Sequence, residues 1–319
     1  MTDLCIDLDD VRAAARRIDG VAHRTPVLTS TSVDRILGAK VFFKCENLQK
    51  VGAFKFRGAM NTVAQLTDDE LARGVATHSS GNPAAALALA AAERGARARI
   101  VMPTTAPAVK KAAVEGYGAE ITFCEPSLEA RETTLASIVA NDGCVEVHPF
   151  DEPRVIAGQG TAAMELLDQT DALEAVLTPV GGGGLLSGSA IVVTESAGDA
   201  KVWGCEPAGA DDAFRSLELG AIQPSIDPDT IADGLLTSLG EHTFAIIRDR
   251  VVGIVTVSEA AIVDAMRLVW ERMKIVIEPS AAVPVAVLLE RRNAIDASRI
   301  GVVLSGGNVD LARLPWSRK

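Results

Sequence analysis

Strand-like apolar runs alternate with helix-like stretches almost from one end of the chain to the other. This alternation constrains the fold more than any other feature. Residues 40–45 (KVFFKC) read as a strand and 57–66 as a helix. Strands at 75–78, 98–102, 121–124 and 144–147 then interleave with helices at 83–95, 106–116 and 128–140. A second series follows: a helix at 155–167, a strand at 175–179, a helix at 185–196 and a strand at 202–205. Helices at 258–273 and 279–291 lead to a last strand at 300–304. Short strands separated by helices of this length predict parallel sheets with right-handed crossovers, an α/β fold. Residues 74–151 read as a small sheet of their own, so two lobes sharing a cleft are expected. Ligands in such folds lie beyond the carboxyl ends of the strands.

Several function classes are excluded by composition. Acidic residues outnumber basic ones, 42 to 31, and the formal charge of −11 repels nucleic acid. The start, MTDLCIDLDD, is acidic where a signal peptide would be basic and then apolar. The longest charge-free run, 175–194, contains Pro179 and four consecutive glycines and is no membrane span. Five cysteines without a C-x-x-C pair fit neither a disulfide framework nor a thiolate zinc site, and point to a reducing, cytoplasmic setting. Four histidines, with no H-E-x-x-H, argue against a histidine-rich metal site.

Three strand-to-helix turns stand out. Ser79-Ser80-Gly81-Asn82-Pro83 places two hydroxyls and an amide at a helix start, either as a ligand loop or as a plain N-cap. Gly181-Gly182-Gly183-Gly184 exposes backbone N–H groups at a helix N-terminus, which suits a phosphate monoester; the alternative is a tight turn. It matches neither G-x-G-x-x-G nor a Walker sequence. Ser305-Gly306-Gly307-Asn308 sets a serine at the end of the last strand. Ahead of these, Lys55 lies between Phe54 and Phe56, either snorkelling at the surface or held in an apolar setting. A desolvated lysine has a lowered pKa and forms Schiff bases readily. Lysine, phosphate cradle and serine together point to pyridoxal phosphate.

With these residues in view, the chain resembles the serine racemase and serine/threonine dehydratase family, the fold-type II pyridoxal-phosphate enzymes. Phe54-Lys-Phe-Arg-Gly58, Thr77-His-Ser-Ser-Gly-Asn82, Gly158-Gln-Gly-Thr161, Val180-Gly-Gly-Gly-Gly184, Cys205-Glu-Pro207, Ile231-Ala-Asp-Gly234 and Trp270-Glu-Arg-Met-Lys274 fall in family order. The resemblance implies a tryptophan-synthase-β-like fold. Residues 1–73 and 152–319 would form the large cofactor domain, and 74–151 a small mobile domain. It implies that Lys55 holds the cofactor covalently, Phe54 packs on its ring, and Gly181, Gly182, Gly183 and Gly184 hold its phosphate. Asn82 would bond the ring hydroxyl and Ser305 the pyridine nitrogen. Ser79, Ser80, Gly81 and Arg131 would receive the substrate carboxylate, with Ser80 also facing Cα opposite the lysine. Glu206, the Ala210 carbonyl and Asp212 offer hard oxygen ligands for Mg²⁺, Ca²⁺ or Mn²⁺. Their pattern alone also suits a solvated acidic turn; the resemblance implies a structural cation site.

The implied activity is elimination of water from L-serine- or L-threonine-type β-hydroxy amino acids, giving a 2-oxo acid and ammonia. Serine racemisation or 3-hydroxyaspartate ammonia-lyase activity are the alternatives within the family, and a homodimer is implied. A non-catalytic nucleotide-binding α/β protein is the rival from another class; it lacks motif support. Three positions depart from the family: Pro83 where histidine is frequent, Phe150 where a polar residue often faces the cofactor, and Ala85 where racemases often carry glutamine. Each makes its neighbourhood less polar, which predicts a preference for a bulkier or more apolar substrate. The chain stops soon after Asp310, leaving no length for a C-terminal regulatory domain, so a catabolic or racemising enzyme is expected.

Overall fold

The computed structural model describes residues 4–106 and 108–317. Pro107, inside the helix predicted at 106–116, lies outside the described residues; the observed helix is Ala108–Gly116. Among the described residues the strands are β1 (Val27–Leu28), β2 (Lys40–Cys45), β3 (Val75–His78), β4 (Ala98–Pro103), β5 (Glu120–Cys124), β6 (Val145–Glu146), β7 (Ala175–Pro179), β8 (Lys201–Pro207), β9 (Gly253–Val257) and β10 (Arg299–Leu304). They form two sheets, β1-β2-β10-β7-β8-β9 and β5-β4-β3-β6. Every pairing is parallel except β1 with β2.

Central strands of the larger sheet are covered on both faces. β7 is buried at every residue and β10 from Ile300 onward, which explains their unbroken apolar sequences. One face packs against the helices Glu259–Met273 and Pro279–Glu290, and the other against Pro153–Asp168 and Gly184–Ser196. Register decides where chemistry can sit. Leu304 pairs with Cys45, Val302 with Leu177, and Pro179 with Cys205. The carboxyl ends of β2, β10, β7 and β8 therefore lie in one row. The loops at 46–54, 305–308 and 180–184, and the turn after β8, emerge side by side.

The smaller sheet uses only residues 75–146, with the Ala-rich helix Asn82–Glu93 packed beside it. The observed elements depart from the predicted ones in a few places. The strand predicted at 144–147 shortens to Val145–Glu146, and the helix predicted from 57 begins at Lys55. Helices Leu8–Ile18, Thr31–Leu37, Asp68–Arg73, Asp212–Leu219 and Glu241–Arg250, and strand β9, have no counterpart in the sequence reading. The first has a clear local cause: an Asp7–Asp10 capping box ahead of buried Leu8, Val11, Ala14 and Ile18.

Candidate active site

Position 55 is reached through a loop pinned to the end of β10. Ala53 bridges to Gly306, the Phe54 amide donates to the Ser305 carbonyl (3.0 Å), and the Gly307 amide donates to Gly52 (2.9 Å). Val51 is held at φ 56°. For a β-branched residue that left-handed conformation costs about 1–3 kcal/mol. The Asn308 side-chain amide, donating to the Val51 carbonyl at 2.7 Å, helps to keep it there. Helix Lys55–Val63 then starts at once, and the Phe54 side chain packs with Ala162, Leu185 and Val303.

Lys55 is partly buried. Its Nζ donates to the Pro149 carbonyl (3.0 Å) and stands 5.1 Å from the Phe54 ring centre. Among the described residues no carboxylate pairs with it. Burial without a counter-charge pushes its pKa down to about 8. The amine therefore gives up its proton more readily than an ordinary lysine's, and the surface-snorkelling reading is set aside.

Pro149 belongs to a turn organised by His148. The imidazole Nδ1 accepts the amides of Asp151 (2.8 Å) and Phe150 (3.3 Å), so the neutral ring carries its proton on Nε2. Burial pushes His148 down to about 4. The turn lays the Phe150 ring on Gly182, where a Cβ would stand 2.3 Å from it. Gly183 has φ 90°, and a Cβ there would meet Thr243 at 2.8 Å. The Thr243 hydroxyl donates to the Gly182 carbonyl (2.8 Å), and its amide donates to Asp151 (3.0 Å). Neighbours therefore require glycine at 182 and 183, and the turn opens directly into helix Gly184–Ser196. The first amides of that helix have no intrahelical acceptor and favour an anion.

The Ser79–Asn82 turn is no plain N-cap. Gly81 occupies the cap position without a side-chain cap bond, and Ser79 Oγ accepts from the Gly81 amide (3.2 Å). Asn82 instead reaches to the other sheet. Its Nδ2 donates to both oxygens of Glu278 (3.0 and 3.3 Å), and its Oδ1 accepts from Asn308 (2.9 Å). Ser305 lies buried at the end of β10. The structure thus draws Phe54, Lys55, Asn82 and Ser305 onto one hydrogen-bonded frame, and the Pro149–Phe150 turn joins the glycine turn to it.

Glu278 escaped the sequence reading. It is buried, accepts the Asn308 amide (3.0 Å), and is pushed up to about 7 chiefly by burial. Its position before Pro279, at a helix start, was the available signal. Arg131 is not joined to the Ser79–Asn82 turn; among the described residues its Nε donates to the carbonyl of Ser127 (3.3 Å), the N-cap of its helix Leu128–Asp142. Its charge does reach His78, adding to the burial that lowers that imidazole.

The Glu206 set stands apart, on the β8 turn. Glu206 accepts the amides of Ala213 (2.9 Å) and Phe214 (2.8 Å), while both oxygens of buried Asp212 lack a partner. Burial pushes Glu206 up to about 9 and Asp212 to about 6. It is not a solvated acidic turn. Among the described residues no cluster of three or more His, Cys, Asp or Glu side chains forms a metal site; this set has two carboxylates and a carbonyl.

Taken together, fold and site define a two-sheet α/β enzyme whose partly buried lysine is tied to the same turn, Pro149–Phe150, that packs on the glycine loop. Known proteins agree with that class. A family model described as pyridoxal-phosphate-dependent enzyme matches residues 18–306. A β-hydroxyaspartate dehydratase from Paracoccus denitrificans is 49% identical, covering 97% of this chain and 98% of its own. The structure of Dictyostelium discoideum serine racemase superposes with a TM-score of 0.92 at 48% identity, covering 96% of this chain and all (100%) of that one. The structure of maize serine racemase gives 0.95 at 43% identity, covering 97% of this chain and 95% of that one. The chain belongs to the fold-type II pyridoxal-phosphate-dependent enzyme family, among its amino-acid racemases and dehydratases. The residues present fit the cofactor: a partly buried amine with no carboxylate partner, a glycine turn at a helix N-terminus after β7, and a buried serine after β10 lie at the carboxyl end of the larger sheet.

Proposed function

We propose that this chain is an ammonia-lyase. It removes water from L-serine- or L-threonine-type β-hydroxy amino acids, giving a 2-oxo acid and ammonia, with racemisation as a side activity. The observation that carries this reading is Lys55, an amine with one neutral partner and a pKa brought down to about 8. A general base works best with a pKa near the operating pH. When bound, the cofactor supplies an electron sink for the charge that develops at Cα.

In this reading Lys55 takes the Cα proton. Gly181–Gly184 hold the phosphate, Asn82 the ring hydroxyl and Ser305 the pyridine nitrogen, with Phe54 beside the ring. The amides and hydroxyls of Ser79, Ser80 and Gly81 receive the substrate carboxylate, and Arg131 joins them as residues 74–151 close on the large domain. Loss of the β-hydroxyl and hydrolysis of the released enamine complete the reaction. Ser80, on the opposite face, returns a proton to Cα when racemisation occurs. The Glu206–Ala210–Asp212 turn holds Mg²⁺ as a brace, a role supported by the unpartnered, buried Asp212 carboxylate. Five unpaired cysteines support a cytoplasmic setting, and a homodimer completes the reading. No helix among the described residues is long and apolar enough to cross a membrane.

A second reading, elimination from 3-hydroxyaspartate, is favoured by the 49% identity to a β-hydroxyaspartate dehydratase. A substrate panel with chiral product analysis separates the two. Turnover of L-threonine or L-serine above 3-hydroxyaspartate, by kcat/KM, is expected; the reverse order installs the second reading. Phe150 and Pro83 further predict that a larger apolar analogue outperforms serine, and equal values would refute that preference. Ser80→Ala should abolish racemisation and spare elimination from the L-enantiomer; equal loss of both removes its proposed role.

A further inference from the structure

Beside Lys55 lies a cavity of about 20 Å³. Its lining includes Lys55, Thr77, His148, Pro149 and Gln159. Two polar atoms on the lining residues lack partners. Thr77 Oγ1 and Gln159 Nε2 are buried without a hydrogen-bond partner, on residues 1% exposed. Gln159 cannot turn its amide away, because its Oε1 accepts the Gly58 amide (3.2 Å). A buried donor and a buried hydroxyl left unmatched cost about 1–3 kcal/mol each. Polar cavities above roughly 10–15 Å³ with two to four polar partners hold a water.

We infer that this cavity is a single-water site that solvates the Lys55 amine, the water being held by Thr77 and Gln159. The inference rests on Lys55 acting as the proposed base. Gln159 Nε2 donates to the water, and the Thr77 hydroxyl rotates to accept or to donate. The water can then donate to Lys55 when the amine is neutral, and accept from it once it has taken the Cα proton. A fixed protein donor could serve only one of those states. Among the described residues the Pro149 carbonyl is the one protein acceptor the ammonium has. His148 shares the wall, with His78 and Asp151 beyond it; His148 is held neutral at working pH, so the limb described next belongs to Lys55.

The test is a crystal structure of the cofactor-loaded enzyme paired with pH profiles of kcat for wild type, Thr77→Val and Thr77→Ser. The expected result is one ordered peak within hydrogen-bond reach of Thr77 and Gln159, absent in Thr77→Val and retained in Thr77→Ser. Loss of the water desolvates the ammonium further, so the acid limb of kcat should move down by about one pH unit in Thr77→Val alone. A dry wild-type cavity, a water that persists in Thr77→Val, or a limb unmoved when the water leaves would each overturn the inference. An inactive, colourless wild type would instead sink the proposed function. An active yellow enzyme with a dry cavity would sink only the water.

Discussion

Lys55 and Arg57 lie two residues apart in one helix, and their surroundings give them opposite chemistry. Lys55 meets one carbonyl and is pushed down to about 8 by burial. Arg57 is fully buried and is gripped by Glu46 (2.7 and 2.8 Å) and Glu165 (2.7 and 2.9 Å), which together push its pKa up against the desolvation. Lys44 joins the same cluster through Glu165 (2.6 Å). Burial alone makes a cation reactive, whereas burial with matched carboxylates makes it structural. The cleft side of the helix is left uncompensated, and the core side is compensated in full.

Substitution at each position should break this comparison in opposite directions. Lys55→Ala should lower turnover by about 10³-fold or more and remove the visible absorbance of the bound cofactor. Its apoenzyme should melt no lower than wild type, because burial disfavours the Lys55 ammonium and no carboxylate offsets that cost. Retained colour and turnover would remove Lys55 from the mechanism. Arg57→Ala leaves buried Glu46 without its partner and should cost about 3–5 kcal/mol, read as a fall in the denaturation midpoint. An unchanged midpoint would mean that the carboxylates find other partners.

Smaller effects sharpen the picture. Gly182→Ala sets a methyl against the Phe150 ring and should weaken cofactor retention about tenfold in equilibrium dialysis. Rescue by the double variant with Phe150→Ala would confirm the clash as the cause. The pH dependence of apoenzyme reaction with the cofactor aldehyde tests Lys55 directly. Below pH 8 the amine is protonated and inert, so the rate should rise through a midpoint near 8. A midpoint near 10 would show an ordinary, solvated lysine. The smallest effect expected is a few degrees' loss of melting temperature on chelation, absent in Asp212→Asn.

Much of this frame was legible in the sequence. The strand–helix alternation fixed the parallel sheets, and the unusual turns at 79–83, 181–184 and 305–308 marked the loops that converge. Local signals suffice where a glycine or proline has one conformational purpose. They fail where a partner is far along the chain. Nothing near Asn82 indicates that it bonds Glu278 and Asn308, and nothing near Pro149 indicates that its carbonyl receives Lys55. Arg57 stood beside the lysine in a matched motif, yet its pairing with Glu46 and Glu165 emerges only when three separate segments pack together. Asp212 was visible as a carboxylate, but its burial without a partner depends on the tertiary fold.

Borohydride reduction of the cofactor-loaded enzyme, followed by peptide mass mapping, asks the central question most directly. The phosphopyridoxyl label should fall on Lys55 alone, in stoichiometric yield. A label on any other lysine, or none on a protein that turns over substrate, would contradict the assignment.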